Sequence, residues 1–296
     1  MRNIEFARRR KIWYILSLLI IIPGLVSFAI QGLNLGIDFK GGSIVQLQFQ
    51  KPVSVTETNK VLAQFGLEKG SVVQKAGPKE VMIRTKALDE KQTKDLVNAF
   101  KTKFGQLDLK RSEKVGPVIG KELTSKALWA LLVASVLMVI YITFRFEFKF
   151  GIAAIIALLH DVAVMIGVFS LLRIEVDSTF VAAVLTIIGY SINDTIVIFD
   201  RIRENLKMKK KEPVEDLVNR SINQTLARSI NTVLTVIFTL VALLVFGGET
   251  TKTFALALLI GVTSGAYSSI FNASQLWIDF TNMAQKRKVA ARAVKA

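Results

Sequence analysis

A carboxylate inside an apolar run is the residue of this sequence with the clearest chemical potential. Asp194 lies in the run 179–199, directly after Asn193, among residues that are mostly Ile, Val, Ala and Phe. A carboxylate at membrane depth costs about 2.5–3.5 kcal/mol on insertion scales, so it is uncommon there and usually functional. The chemistry it predicts is uptake and release of a proton, with Asn193 beside it on a polar helix face. The alternative is a hydrogen-bonded Asp that joins two helices.

Arg228 is the predicted ion partner of Asp194. It directly precedes the apolar run 229–246. This run begins on the side of the membrane where the run 179–199 ends, and Asp194 lies near that end. Because the two residues stand at compatible depths, an ion pair between them is expected. The alternative is a boundary arginine whose long side chain reaches the membrane surface.

A second candidate for proton chemistry is the pair His160-Asp161, in the middle of the run 152–172. Imidazole changes its charge near neutral pH, and an Asp beside it at membrane depth is typical of a proton relay. Adjacent helical residues point about 100° apart, so only one of the two faces a given neighbour. The alternative is a hydrogen-bonded anchor between helices.

Small residues in the run 253–272 predict close helix packing. Gly261, Gly265 and Ser268 follow one another at spacings of four and three residues. Such spacing lets two helix backbones approach closely, so these three residues are assigned a structural role.

The composition excludes several classes of protein. The chain has 296 residues, of which 51% are hydrophobic, a mean hydropathy of +0.44 and a net charge of +16. Basic residues that flank apolar runs indicate contact with anionic lipid, and no nucleic-acid partner is expected. With no Cys and a single His, no metal site and no cofactor are expected. No hydrolytic motif is present, so the protein is not expected to be an enzyme.

The apolar runs predict six transmembrane helices, because about 20 residues cross about 30 Å of hydrocarbon. They are 12–30, 126–144, 152–172, 179–199, 229–246 and 253–272.

Residues 31–122 carry no spanning run and predict one compact domain. Alternating strands and two amphipathic helices follow one another in the order β-α-β-β-α-β, which favours a ferredoxin-like α+β sandwich. Ser54 and Glu57 form a capping-box pattern at the start of the first of these helices. The predicted fold is therefore an α-helical membrane protein with six transmembrane helices and one α+β domain between the first two.

The distribution of Lys and Arg predicts the orientation. The segments 1–11, 145–149, 200–228 and 273–296 together hold 20 Lys or Arg, whereas the two short loops on the other side hold 2. By the positive-inside rule, both termini and the 200–228 loop are cytoplasmic and the 31–122 domain is external.

Several motifs in order resemble the SecF family of the bacterial Sec protein-export machinery. They are NLGIDFKGGS at 34–43, VGPVIGKEL at 115–123, HD at 160–161, GYSINDT at 189–195 and FDRIREN at 199–205. Together they extend over nearly the whole chain.

The resemblance implies a membrane subunit with half the helices of a resistance–nodulation–division transporter, located in the bacterial cytoplasmic (inner) membrane. It implies SecD as the partner that supplies the other half, and work with SecYEG, SecA and sometimes YidC on an unfolded translocating polypeptide. It also implies use of the proton-motive force, with Asp194 and Arg228 matching the acid and the arginine that the family links to proton flow. Two other functions remain open: a proton-coupled exporter of small molecules or lipids, and a passive assembly factor.

Overall fold

The structure, a computed structural model, describes residues 5–145, 147–208 and 212–293. The outer ends of the predicted segments 1–11 and 273–296, and 209–211 within the predicted 200–228 loop, lie outside the described residues. The chain divides into two compact units. A helical unit comprises Met1–Asn34, Ala130–Glu175 and Thr179–Ala296, and an α+β unit comprises Leu35–Trp129 and Val176–Ser178.

The α-helices of the described residues are α1 (Arg10–Gln31), α2 (Ile37–Lys40), α3 (Val55–Gln64), α4 (Glu90–Phe104), α5 (Pro117–Arg145), α6 (Phe148–Leu171), α7 (Ser178–Lys207), α8 (Val214–Phe246), α9 (Glu249–Ser268) and α10 (Ser274–Ala293). The strands are β1 (Asn34–Leu35), β2 (Gly42–Phe49), β3 (Val72–Gly77), β4 (Glu80–Thr85), β5 (Leu107–Val115) and β6 (Glu175–Val176).

Six helical stretches of the described residues are long and apolar enough to cross a membrane. They are Arg10–Gln31, Val118–Arg145, Phe148–Leu171, Ser178–Lys207, Val214–Phe246 and Thr251–Lys286. Five of them contain a predicted run in full, and the third, Phe148–Leu171, ends one residue before the predicted run 152–172 does. Most of the helices extend well beyond the predicted runs. Hydropathy marks only the apolar part of a helix, whereas backbone hydrogen bonding continues into its amphipathic ends. The segment 200–228, predicted as a loop, is therefore mostly helical.

The polar ends of α7 and α8 are joined by buried side chains. Asn205 is almost fully buried and donates to Ser221 Oγ at 2.8 Å and to Gln224 Oε1 at 3.0 Å. Ile202 and Val218 are fully buried. These contacts hold α8 against α7 outside the apolar parts of both helices.

The sixth span is interrupted by a π-helical segment at Ser269–Ala273, between α9 and α10. A π-helix widens the helix by one residue per turn and is found mostly at functional sites. Its Ser269 and Asn272 are both buried, so the widened turn faces protein. The sequence did not predict this feature.

In the α+β unit, the four strands form an antiparallel sheet with the order β3-β4-β2-β5. This strand order and the element order β2-α3-β3-β4-α4-β5 are those of a ferredoxin-like sandwich. Apolar residues of α3, α4 and the sheet share one core, including Leu47, Leu62, Ile83, Leu96 and Phe100. The predicted β-α-β-β-α-β order agrees with these elements.

The Gly41-Gly42 pair follows α2 in the same unit. Gly41 ends α2 with a φ of 77°, and a Cβ on Gly42 would lie 2.6 Å from the Thr85 carbonyl oxygen. Asp38, three residues before Gly41, accepts hydrogen bonds from the backbone N–H and the hydroxyl of Ser178, at 2.8 and 2.6 Å. Gly42 thus permits close contact between β2 and β4. Asp38 bonds Ser178, the first residue of α7.

Replacing Ser54 with alanine is expected to destabilise α3 by about 1 kcal/mol, the usual cost of a lost helix cap. The Ser54 hydroxyl and backbone N–H bond Glu57 Oε2 at 2.8 and 3.1 Å, and these bonds hold the pKa of the Glu57 carboxyl below its ordinary 4.5. Since folding lowers the pKa of the Glu57 carboxyl, the contribution of these two hydrogen bonds is present above pH 4.5. It is lost as the pH falls through the lowered pKa. Hydrogen exchange of the α3 amides in the full chain measures the loss.

The matched control is Thr56→Ala, because Thr56 is exposed in the same turn and has no capping bond among the described contacts. An equal loss of protection in both variants would contradict a role for the cap.

Candidate functional site

Asp161 is the most completely bonded carboxylate of the helical unit. Its side chain is 0% exposed. Oδ2 accepts from Ser191 Oγ at 2.6 Å and from Ser268 Oγ at 2.8 Å. Oδ1 accepts from Ser264 Oγ at 2.7 Å and lies 3.0 Å from His160 Nδ1. With two partners on each oxygen, the carboxylate has filled its hydrogen-bonding capacity.

The hydrogen bonds to Asp161 join three helices, α6, α7 and α9. They form because α7 and α9 approach each other closely at two glycines. A Cβ on Gly261 would lie 2.4 Å from Ile187 Cγ1, and one on Gly265 would lie 3.0 Å from Ser191 Cβ. The structure therefore places Gly261 and Gly265 at a helix contact, and it places Ser268, assigned to packing from the sequence, as a donor to Asp161.

The other ring nitrogen of His160 extends the network to α1. Nε2 lies 3.1 Å from Ser17 Oγ. The same oxygen accepts from Asn272 Nδ2 at 2.9 Å and lies 3.4 Å from the hydroxyl of Tyr267. That hydroxyl donates to the Trp13 carbonyl at 2.7 Å. A continuous series of hydrogen bonds thus runs from the buried carboxylate through His160 to the backbone of α1.

Asp194 is bonded much less completely. Its Oδ1 accepts from Ser229 Oγ of α8 at 2.7 Å. Its Oδ2 is buried and has no hydrogen-bond partner among the described residues. A buried polar atom without a partner costs about 1–3 kcal/mol, so Oδ2 needs either a proton or a partner that these residues do not supply.

Arg228 is exposed, and in the described part of the chain it makes no ion pair with Asp194 within 4.0 Å. Its charge still acts on Asp194 through space. Adjacent residues of a helix point about 100° apart, and it is Ser229 that faces α7. The ion pair expected from the sequence is therefore replaced here by a serine hydrogen bond.

Asn193 points away from this buried contact. It is exposed and lines a cavity of about 500 Å³ between α5 and α7. The lining is otherwise mostly apolar: Ala134, Leu137, Met138, Tyr141, Gly189, Ile192 and Ile196. Asn193 and Asp194 thus belong to different surroundings despite their adjacency.

The predicted site residues form two groups. His160, Asp161, Gly265 and Ser268 meet in one network, whereas Asp194 lies on α7 one turn after Ser191 and is bonded to α8. The sequence reasoning missed Ser17, Ser191 and Ser264; the spacing of Ser264 and Ser268 in an apolar helix was the available signal. Within the described ranges, no group of three His, Cys, Asp or Glu side chains is placed to hold a metal ion.

The six apolar helical stretches in the described part of the chain indicate a multi-pass helical membrane protein, and His160, Asp161 and Asp194 lie within these stretches. Residues 95–283 match the family described as protein export membrane protein SecD/SecF, C-terminal, and residues 26–53 match the SecD/SecF GG motif. The chain belongs to the SecD/SecF family of protein export membrane proteins. It is therefore a membrane protein of protein transport.

Similar proteins cover this chain almost completely. Protein translocase subunit SecF of Sebaldella termitidis is 44% identical over 279 residues, which are 93% of this chain and 91% of that protein. Protein translocase subunit SecDF of Bacillus subtilis is 40% identical over 97% of this chain, but the match is 39% of that protein.

A crystal structure of SecDF from Thermus, described as a translocon-associated membrane protein, has a TM-score of 0.85 at 38% identity. The match covers 94% of this chain and 39% of the SecDF chain. This chain therefore spans about two fifths of the length of these two SecDF proteins.

Proposed function

We propose that this chain associates with a separate SecD-like chain and uses the proton-motive force to assist late steps of translocation through the SecYEG channel, after SecA. The fused SecDF relatives support a SecD partner, because this chain matches only one part of them. The observation that carries the proton step is the buried Oδ2 of Asp194, to which no described residue donates a hydrogen bond. In this proposal the protein is a coupling subunit and not an enzyme.

Asp194 suits a proton-exchanging role because Oδ1 keeps its hydrogen bond from Ser229 in both charge states. The ionised carboxylate accepts from Ser229 and is attracted by the charge of Arg228. The protonated form carries its proton on Oδ2 and becomes a donor, while Oδ1 keeps the Ser229 bond. Neutralisation also removes the attraction to Arg228, so a single proton changes the force between α7 and α8.

A change of charge at the Asp194–Ser229 contact acts on two long helices, α7 and α8. α8 has 33 residues, so at about 1.5 Å per residue it extends about 50 Å. The two helices are joined again by Asn205 and Ser221 beyond their apolar runs. A shift of α8 against α7 would thus be transmitted along the bundle, and differential stabilisation of two arrangements is what drives such a shift.

The proposed topology places both termini on the cytoplasmic side of the bacterial inner membrane and the α+β unit outside. It is supported by the 20 Lys or Arg in the predicted cytoplasmic segments against 2 in the opposite short loops. In this arrangement the α+β unit is the part that meets an unfolded translocating polypeptide. YidC is a further partner of the proposed assembly, and anionic lipid contacts the basic segments.

The test is Asp194→Asn, reconstituted with SecD and SecYEG in vesicles that translocate a precursor with SecA and ATP. Without a proton gradient, translocation is expected to match that of the wild type. The additional translocation caused by the gradient is expected to be lost, because the amide cannot exchange a proton.

The matched control is Asp216→Asn, since Asp216 is a half-exposed acid at the start of α8. Co-purification with SecD verifies that both variants assemble. Full stimulation of the Asp194→Asn variant by the gradient would remove Asp194 from the mechanism and favour a passive assembly factor.

A further inference from the structure

The structure contains a second group that can exchange a proton, in the network that Ser191 of α7 joins one helical turn before Asp194. We propose that His160 is a protonation site in which Nδ1 stays bonded to Asp161 while Nε2 takes and releases the proton through Ser17. Its purpose in coupling rests on the proposed function, but the protonation itself does not.

The hydrogen bonds of the Asp161 carboxylate determine which ring nitrogen of His160 can change its protonation. Three serine hydroxyls already donate to its oxygens at 2.6–2.8 Å, and the fourth approach is His160 Nδ1 at 3.0 Å. An ionised carboxylate only accepts hydrogen bonds, so Nδ1 must carry a hydrogen. Nε2 is then the nitrogen that gains or loses a proton.

Both states of Nε2 fit the same positions of the heavy atoms. In the neutral ring, the Ser17 hydroxyl donates to Nε2 across 3.1 Å. In the imidazolium, Nε2 donates to Ser17 Oγ, and the serine proton turns to the hydroxyl oxygen of Tyr267 at 3.4 Å. That oxygen is free to accept, because its own proton is donated to the Trp13 carbonyl. A rotation of one hydroxyl thus accommodates the added charge.

Charge compensation gives this site a reason to take up a proton. Among the described residues, no Lys or Arg forms a hydrogen bond or ion pair with Asp161. A buried charge without a counter-charge is costly, and the His160 imidazolium supplies the missing positive charge.

The other titratable groups that face this network are phenols. Tyr267 of α9 stacks on the imidazole with 5.9 Å between ring centroids. Tyr14 of α1 lines the adjacent cavity and donates to Asp279 at 2.9 Å, and Asp279 is paired with Arg10 at 2.9 Å. Among the described contacts, α7 contributes the Ser191 hydroxyl to the network, whereas the Asp194 carboxylate is bonded to α8.

Access is provided by a cavity of about 390 Å³ between α1, α6 and the sixth span. Its polar lining consists of Tyr14, Ser17, His160 and Asn272, and the remaining side chains are apolar. Asn272 is 4% exposed, and its Oδ1 has no hydrogen-bond partner among the described residues.

The test uses the fact that His160 is the single histidine of the chain. The full chain, labelled with ¹⁵N-histidine in lipid bilayers, therefore gives one pair of imidazole nitrogen signals. As the pH is raised in steps, Nδ1 is expected to stay protonated while Nε2 changes from protonated to unprotonated. An unprotonated Nδ1, or an Nε2 signal that does not change over the pH series, would overturn the proposal.

Two conservative variants test the path of the proton. Ser17→Ala is expected to shift the Nε2 signal while Nδ1 keeps its protonated signal. Tyr267→Phe keeps the ring but removes the acceptor of the serine proton, and is expected to reduce the pH-dependent change of Nε2. Spectra identical to the wild type in both variants would contradict a path through Ser17.

Asp194→Asn separates this inference from the proposed function. Its ¹⁵N spectra are expected to match the wild type, even where it has lost gradient-dependent export. A histidine that does not change its protonation defeats the inference and leaves the role of Asp194 intact. Conversely, full export stimulation in the Asp194 variant defeats that role and leaves the His160 site standing.

Discussion

Replacing Gly167 with leucine is expected to lower the free energy of unfolding by about 3 kcal/mol, at the upper end of the usual cost of overpacking. Gly167 of α6 lies against Gly24 of α1, and a Cβ added to either would approach the other's Cα to 2.8 or 2.6 Å. Both obstacles are backbone atoms, which no rotamer change can move. The larger side chain must therefore push α1 away from α6.

Thermal unfolding of the purified chain in detergent measures this loss. The matched control is Gly189→Leu, because a Cβ at Gly189 of α7 has no neighbour within 4 Å. Both variants add the same apolar atoms to a spanning helix, so lipid or detergent effects cancel in the comparison. Equal unfolding temperatures of the two variants would show that the α1–α6 contact does not limit stability.

Asp161→Leu is expected to lower the free energy of unfolding by about 3–5 kcal/mol, because several buried donors lose their acceptor at a cost of about 1–3 kcal/mol each. The substitution takes the acceptor from three serine hydroxyls and from His160 Nδ1. Serine hydroxyls in helices can turn to a carbonyl of their own helix, which places the loss at the lower end of that range. The bonds between α6, α7 and α9 are lost together, so the unfolding temperature is expected to fall sharply.

The comparison variant is Asp194→Leu, which removes one hydrogen bond from Ser229 and one partnerless oxygen. Its expected cost is about 1 kcal/mol, because a single bond is lost and an unsatisfied atom is removed with it. A larger loss of stability in the Asp194 variant than in the Asp161 variant would contradict this ranking. Chemical unfolding of both purified variants in the same detergent decides between the two outcomes.

Asp161 and Asp194 are therefore expected to differ in their effect on stability, although both are aspartates in membrane-spanning helices. Asp161 holds three helices together through filled acceptor sites, and its proton chemistry is proposed to take place on the neighbouring imidazole. Asp194 is expected to contribute little to stability, and its Oδ2 has no hydrogen-bond partner among the described residues, which suits the proposed change of charge.

Local signals in the sequence determined much of the architecture. Apolar runs of about 20 residues predicted the six spans, since hydrocarbon thickness fixes the length of such a run. In the α+β unit, alternation and the capping box of Ser54 predicted the order of strands and helices, because these signals act within a few residues. A carboxylate in an apolar run is energetically costly, and this cost likewise identified Asp161 and Asp194 as candidates from their positions in the sequence.

Tertiary structure alone decided which side chains meet. Asn272 and Ser17 are 255 positions apart, and Ser264 and Asp161 are 103 apart. Whether they touch depends on the rotation of each helix about its axis, and hydropathy leaves that rotation undetermined for helices that are apolar on most faces. The same rotation turned Ser229 instead of Arg228 toward Asp194. The π-helical turn at Ser269–Ala273 likewise has no local sequence signal, and it places Asn272 against Ser17.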